Sequence, residues 1–188
     1  MANSLDRHPD SLVDREDASS VLLPVADGLW LGNATAAADA HAIGRAGITQ
    51  TLCLAVNLDM PPMTLADGTV LRRAKVGLID GPGNTAAHLI AAVLSISGML
   101  AQAAPGKSSY PDHRPGGVLV HCRGGRSRSV IALALHLSEV AGEAPFDDVL
   151  ARLRALRGLS STQPSTALCN LAEQVRAASV LRPAAALL

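Results

Sequence analysis

Apolar residues fall in short runs divided by turn formers, and the runs switch between the period of a strand and that of a helix. Residues 21–25 and 29–31 read as two short strands around an Asp27-Gly28 turn. Residues 34–46 carry a helical pattern, and Gly47 supplies a C-terminal stop. Ile48–Ala55 is mostly apolar and bounded by turn signals, as a buried strand would be. A loop rich in turn formers follows at 60–68, then a strand over 70–79 that ends at Asp80-Gly81-Pro82-Gly83. A long amphipathic helix is expected from Thr85 to about Ala103, with Asn84 as its N-cap.

Residues 105–117 are crowded with Pro, Gly, Ser and charge, which predicts a surface loop. The apolar run Val118-Leu119-Val120 then leads straight into His121-Cys122. Helices are predicted from Arg128 to about Ala141, through Pro145 in a first turn to Arg157, and from about Ser165 to Val180. Residues 1–20 are polar and aperiodic, a flexible N-terminal tail, and 181–188 form a short C-terminal tail. Strands alternating with helices between them predict a single α/β domain over 21–180, with a central, mainly parallel sheet flanked by helices.

Composition narrows the functional classes. A chain of 188 residues, 48% hydrophobic and 17% charged, can bury one substantial core. Its formal net charge of +0 argues against nucleic acid as a bulk electrostatic partner, so any charge recognition is local. Cys53, Cys122 and Cys169 have neither disulfide-framework nor metal-knuckle spacing. His41, His88, His113 and His136 show no metal-like spacing, and neither metal nor cofactor is expected. Asp6, Asp10, Asp14, Glu16 and Asp17 make the N-terminus unlike a secretory signal, and no apolar run is long enough to span a bilayer. A reducing, cytoplasmic location is the expectation. Trp30, Tyr110 and Phe146 are the only aromatics, so the core must be aliphatic and alanine-rich.

The nine residues His121-Cys122-Arg123-Gly124-Gly125-Arg126-Ser127-Arg128-Ser129 carry the chemistry. A cysteine at a strand end, five intervening residues and an arginine opening a helix make an anion cradle. Backbone N–H groups of residues 123–128 can converge on one tetrahedral dianion, and the helix dipole adds to the attraction. Gly124 and Gly125 permit the close approach such a loop needs, and Arg128 can offer two parallel donors to phosphoryl oxygens. A cysteine amid these donors is placed to act as a thiolate nucleophile. Arg123 and Arg126 crowd a helix N-terminus, where cations are disfavoured unless an anion binds. Together with Gly124, Gly125 and Ser127 they are the expected substrate-binding residues. A chance match to this pattern is on the order of one in ten thousand.

The segment resembles the phosphate loop of the dual-specificity phosphatase family. The likeness extends to Leu29-Trp30-Leu31-Gly32-Asn33, Ala37, Gly47-Ile48-Thr49, Leu52 and Val76-Gly77-Leu78-Ile79-Asp80, covering about residues 21–178. It implies that His121 orients the loop and favours the thiolate, and that Ser129 bonds the sulfur, although a helix-start hydroxyl is an equal reading of Ser129. It makes Asp80 the general acid, at a strand end that a parallel neighbour would bring to the same sheet edge as Cys122. Asp112 is the rival, in a Pro-rich loop. The separation of Asp80 from Cys122 exceeds the family's usual one by about the length of residues 105–116, an expected insertion.

Other residues weigh less. Cys53 reads as a buried cysteine, with a redox pairing to Cys122 as the alternative; Cys169 and His136 read as structural. Gln163 lies in a loop that can help place water in the family. Arg152, Arg154 and Arg157 near a helix C-terminus read as a solvated face. The expected substrate is a phosphorylated protein or small phosphorylated molecule. One alternative is a phosphoinositide or inositol polyphosphate, its extra phosphates met by Arg123 and Arg126. A rhodanese-like sulfurtransferase fits less well, because its shorter loop would place the arginine where Ser127 stands; a non-catalytic phosphate-binding module would not need Cys122, Arg128 and Asp80 together.

Overall fold

A computed structural model describes residues 19–103 and 106–182. The expected tails at 1–20 and 181–188 lie, but for Ser19, Ser20, Leu181 and Arg182, outside the described residues. Five strands form one sheet: β1 (Leu22–Ala26), β2 (Leu29–Gly32), β3 (Ile48–Ala55), β4 (Arg72–Leu78) and β5 (Gly117–His121). Their spatial order is β1-β2-β5-β3-β4. β1 runs antiparallel to β2, as a tight turn at Asp27-Gly28 requires, while β2, β5, β3 and β4 are mutually parallel.

The helices are α1 (Ala34–Ala38), α2 (Ala40–Arg45), α3 (Ala86–Ala101), α4 (Arg128–Leu135), α5 (Phe146–Arg157) and α6 (Thr166–Ala177). Helices α3 to α6 bury Val93, Ile96, Ile131, Leu153 and Leu168 with Val118 and Val120 of the sheet. A smaller cluster joins Ala37 and Ile43 to Ile48 and Leu119, so β5 is covered on both faces. Every residue of β3 and β5 is buried, in keeping with the apolar runs Leu52–Ala55 and Val118–Val120, although Thr49, Gln50 and Thr51 are buried polar residues. Because β5 sits centrally, the chain that leaves it emerges in the middle of the sheet's C-terminal edge. β4, parallel to β3, delivers its own end to that edge.

Three elements depart from the sequence expectation. The helix expected over 34–46 breaks at Asp39, whose extended backbone (φ −93°, ψ 94°) ends α1. Its carboxylate accepts from the N–H groups of His41 and Ala42 at 3.0 and 2.9 Å, capping α2. Beyond Leu135 the helix widens to a π-turn over His136–Val140, with His136 Nδ1 3.2 Å from Ser97 Oγ. β4 starts two residues late, because the Val70 N–H donates to the Asp112 carbonyl (2.7 Å) and that of Leu71 to Met63 (2.9 Å). The described part of the 105–116 loop is therefore pinned at the start of β4, where Arg114 Nε also meets Asp67 Oδ2 at 2.8 Å.

Candidate active site

The turn from β5 into α4 is held by three unrelated elements. The Ala34 N–H that opens α1 donates to the Arg123 carbonyl at 3.0 Å. Arg157 of α5 donates to the Gly124 carbonyl at 3.2 Å. Gly125 adopts φ +65°, and a Cβ there would stand 2.7 Å from the Gly32 carbonyl oxygen, so both conformation and space demand glycine. Ser127 precedes α4 without a side-chain capping bond, leaving the helix's first N–H groups to face what the loop encloses.

Cys122 lies at the bottom of this loop, 1% exposed, with Sγ 3.3 Å from Ser129 Oγ. Arg128 is buried and donates to the Leu78 carbonyl through Nη1 at 3.3 Å, while Nη2 stands 3.3 Å from Asp80 Oδ2. Asp80, Cys122, Arg123, Arg126, Arg128 and Gln163 line one cavity of about 490 Å³. Gly124 and Ser127 belong to its wall, as do two half-exposed aliphatic side chains, Val56 and Ile79. The cavity thus combines a buried thiol, a carboxylate and several cations.

Asp112 is excluded from this assembly. Its carbonyl is bound at the start of β4, and β4's seven residues, at about 3.3 Å each, separate it from the edge where Cys122 lies. His121 is fully buried, and among the described residues the backbone of Cys122 is the polar group its ring meets. Burial, reinforced by Arg73, pushes its pKa down to about 4, so at neutral pH it is uncharged. Cys53 is the register partner of His121, and burial pushes its thiol up; all three cysteines are free thiols. Cys169 is half-buried beside the Pro164 carbonyl.

Of the three arginines expected on a solvated face, Arg152 is exposed as expected, while Arg154 and Arg157 instead brace the site. Arg154 Nε donates to the Gln163 carbonyl at 2.7 Å, and Arg157 holds the turn from β5 into α4. Arg152 bonds Glu143 at 2.7 Å and the Val25 carbonyl at 3.4 Å. The i, i+3 spacing of Arg154 and Arg157 puts both on one helix face, the only trace in the sequence of this shared task. Asn84 does not cap α3. That position belongs to Thr85, whose N–H donates to His88 Nδ1 at 3.2 Å. Asn84 bonds backward instead: Oδ1 accepts from the Ile79 N–H (2.9 Å), and Nδ2 donates to the carbonyls of Ile79 (2.8 Å) and Gly81 (3.2 Å).

Solved structures place the architecture. Human DUSP28 shares 21% identity with the chain at a TM-score of 0.64, covering 84% of this chain and 93% of its own. The chain has the dual-specificity phosphatase fold. A mouse putative dual-specificity phosphatase, solved as a complex with zinc tungstate, shares that fold at 20% identity and a TM-score of 0.66, over 84% of this chain and 87% of that one. A human tyrosine phosphatase-like serine/threonine/tyrosine-interacting protein shares it too, at 20% identity and 0.63, over 84% and 96%. No protein-family model and no curated protein sequence matches the chain. The dual-specificity phosphatase fold fixes the scaffold, and activity must be argued from the side chains on it. Among the described residues, no helix is long and apolar enough to cross a membrane, and no group of three or more His, Cys, Asp or Glu is arranged to hold a metal ion.

Proposed function

We propose that the protein is a cysteine-dependent phosphatase that hydrolyses phosphate monoesters on protein side chains, through a phosphocysteine intermediate. The observation that carries this reading is the convergence of Cys122, Arg128 and Asp80 on one cavity beneath an uncapped helix start. The loop amides and Arg128 hold the phosphoryl oxygens. The Cys122 sulfur attacks phosphorus as the ester P–O bond breaks, and Asp80 gives a proton to the departing oxygen. Water then attacks the phosphocysteine, passing a proton to the Asp80 carboxylate; the S–P bond breaks and inorganic phosphate leaves. Ser129, 3.3 Å from the sulfur, can donate a hydrogen bond to it as it departs.

The ion pair between Arg128 and Asp80 fits this sequence of events. An arriving phosphoryl dianion competes for the same guanidinium, which frees the Asp80 carboxylate to take up a proton and turn to the leaving group. Val56, 51% exposed, and Ile79, 44% exposed, offer the substrate an aliphatic wall in place of an aromatic clamp, which suits a permissive site for phosphotyrosine and for phosphoserine or phosphothreonine. A reducing cytoplasm would keep Cys122 a thiol.

The decisive experiment substitutes Cys122→Ser. Turnover of phosphopeptides should vanish while binding of a phosphate analogue such as tungstate persists; activity near wild type would sink the mechanism. A panel of phosphopeptides, phosphoinositides and inositol phosphates compared by kcat/KM tests the substrate class. Phosphopeptides should lead, and a clear preference for inositol polyphosphates would overturn the phosphoprotein assignment.

A further inference from the structure

We propose that Asn84 is a positioning residue for the acid, a clasp that holds Asp80 over the nucleophile once substrate has taken Arg128. The inference rests on the phosphatase reading above. Its ground is the three hydrogen bonds that one carboxamide makes to the backbone on both sides of Asp80. The segment they hold has little else to fix it. Gly81 and Gly83 lie at φ +154° and +108°, and Asp80 has a half-exposed side chain. Among the described residues, Arg128 is the ion-pair partner of the Asp80 carboxylate. When a phosphoryl group occupies that guanidinium, the tether is lost at the stage when the acid must be in place. The Asn84 clasp, made to backbone, is untouched by the exchange.

The bond pattern also explains the residue type. One acceptor toward the Ile79 N–H and two donors toward carbonyls is what a primary amide supplies. A carboxylate would keep the first bond but face the two carbonyl oxygens with no proton to share. Asn84 is itself set at the mouth of α3, directly before the Thr85 cap, so the clasp is anchored to a sixteen-residue helix packed on the sheet.

The test is the dependence of kcat/KM on leaving group. Wild type, Asn84→Ala, Asn84→Asp and Asp80→Asn would be assayed on a series from p-nitrophenyl phosphate to phenyl phosphate and a phosphothreonyl peptide. Both Asn84 variants should stay within about 3-fold of wild type on p-nitrophenyl phosphate and fall about 10- to 100-fold on the poor leaving groups, a share of what a general acid contributes. In an Asp80→Asn background, Asn84→Ala should add little, because a clasp has no effect once the acid is gone. An equal loss across all leaving groups, or full additivity with Asp80→Asn, would overturn the proposal. If melting shows Asn84→Ala to be unfolded, Asn84→Ser is held to the same criteria. A wild-type protein inactive on every ester overturns the phosphatase reading and the clasp together; an active one with a flat Asn84 profile overturns the clasp alone.

Discussion

His121 and His136 are imidazoles kept neutral by burial, and each has its pKa pushed down to about 4. In the unfolded chain a histidine titrates near 6.5, so between pH 4 and 6.5 the unfolded state binds more protons and stability rises with pH. Their contribution is complete above about pH 6.5 and is lost as pH falls toward 4. Lowering pH from 7 to 5 should cost about 2 kcal/mol for each imidazole. Urea unfolding at the two pH values checks this, and His136→Leu should remove about half of the difference; an unchanged difference would refute the assignment. At this scale the sequence was most legible where residues act on their neighbours. Cys122 and Arg128 lie within seven contiguous residues, so their spacing singled them out, whereas Ser129 was reached only through the family resemblance. Arg154, Arg157 and Asn84 bond to segments outside their own helix or its cap, and only packing reveals those roles.

Elements show the same division. Strands β3 and β5 were legible because a strand covered on both faces leaves an apolar run. The break at Asp39 was not, since the apolar pattern of 34–46 continues through it and the capping bonds depend on a local choice of backbone conformation. The π-turn after Leu135 lies within a helix-like pattern for the same reason. The phosphate-loop turn makes a sharper test of element geometry. Gly125→Ala must place a Cβ 2.7 Å from the Gly32 carbonyl at φ +65°, whereas Gly142→Ala, at φ +67°, meets open space. Both should lose stability by about 1–3 kcal/mol from backbone strain. Only Gly125→Ala should also lose about 100-fold in kcat/KM, the scale expected for misplacement near 1 Å. Equal kinetics for the two variants would show that the loop tolerates the displacement.

For the molecule as a whole, parallel strands sort functions to opposite edges. Cys122, Arg128 and Asp80 all stand at the C-terminal edge of the sheet, where α/β folds build their sites. The described part of the 105–116 loop is fastened at the other edge, through the Val70–Asp112 backbone bond and the Arg114–Asp67 pair. Asp112→Asn should therefore leave kcat/KM within 2-fold, at roughly wild-type dependence on leaving group; a selective loss on alkyl phosphates would return Asp112 to the acid role. The sequence already favoured Asp80 over Asp112; strand order, which no local pattern encodes, sets Asp80 at the cavity and Asp112 toward the opposite edge. The α/β class and mainly parallel sheet, by contrast, followed from the alternation of elements alone.

The bond from Arg128 to the Leu78 carbonyl carries an implication for folding fidelity. Among the described residues β4 is the edge strand beside β3, and with only Leu78 of it buried its register is weakly specified. A slip of one residue would carry the Leu78 carbonyl about 3.3 Å along the strand, out of reach of Arg128, and take Asp80 with it. A chain that misaligned this edge strand would thus lose the Arg128–Asp80 pairing of the proposed anion site as well. Phosphate, by binding only the correctly aligned form, would act as a selective stabiliser of the properly threaded sheet.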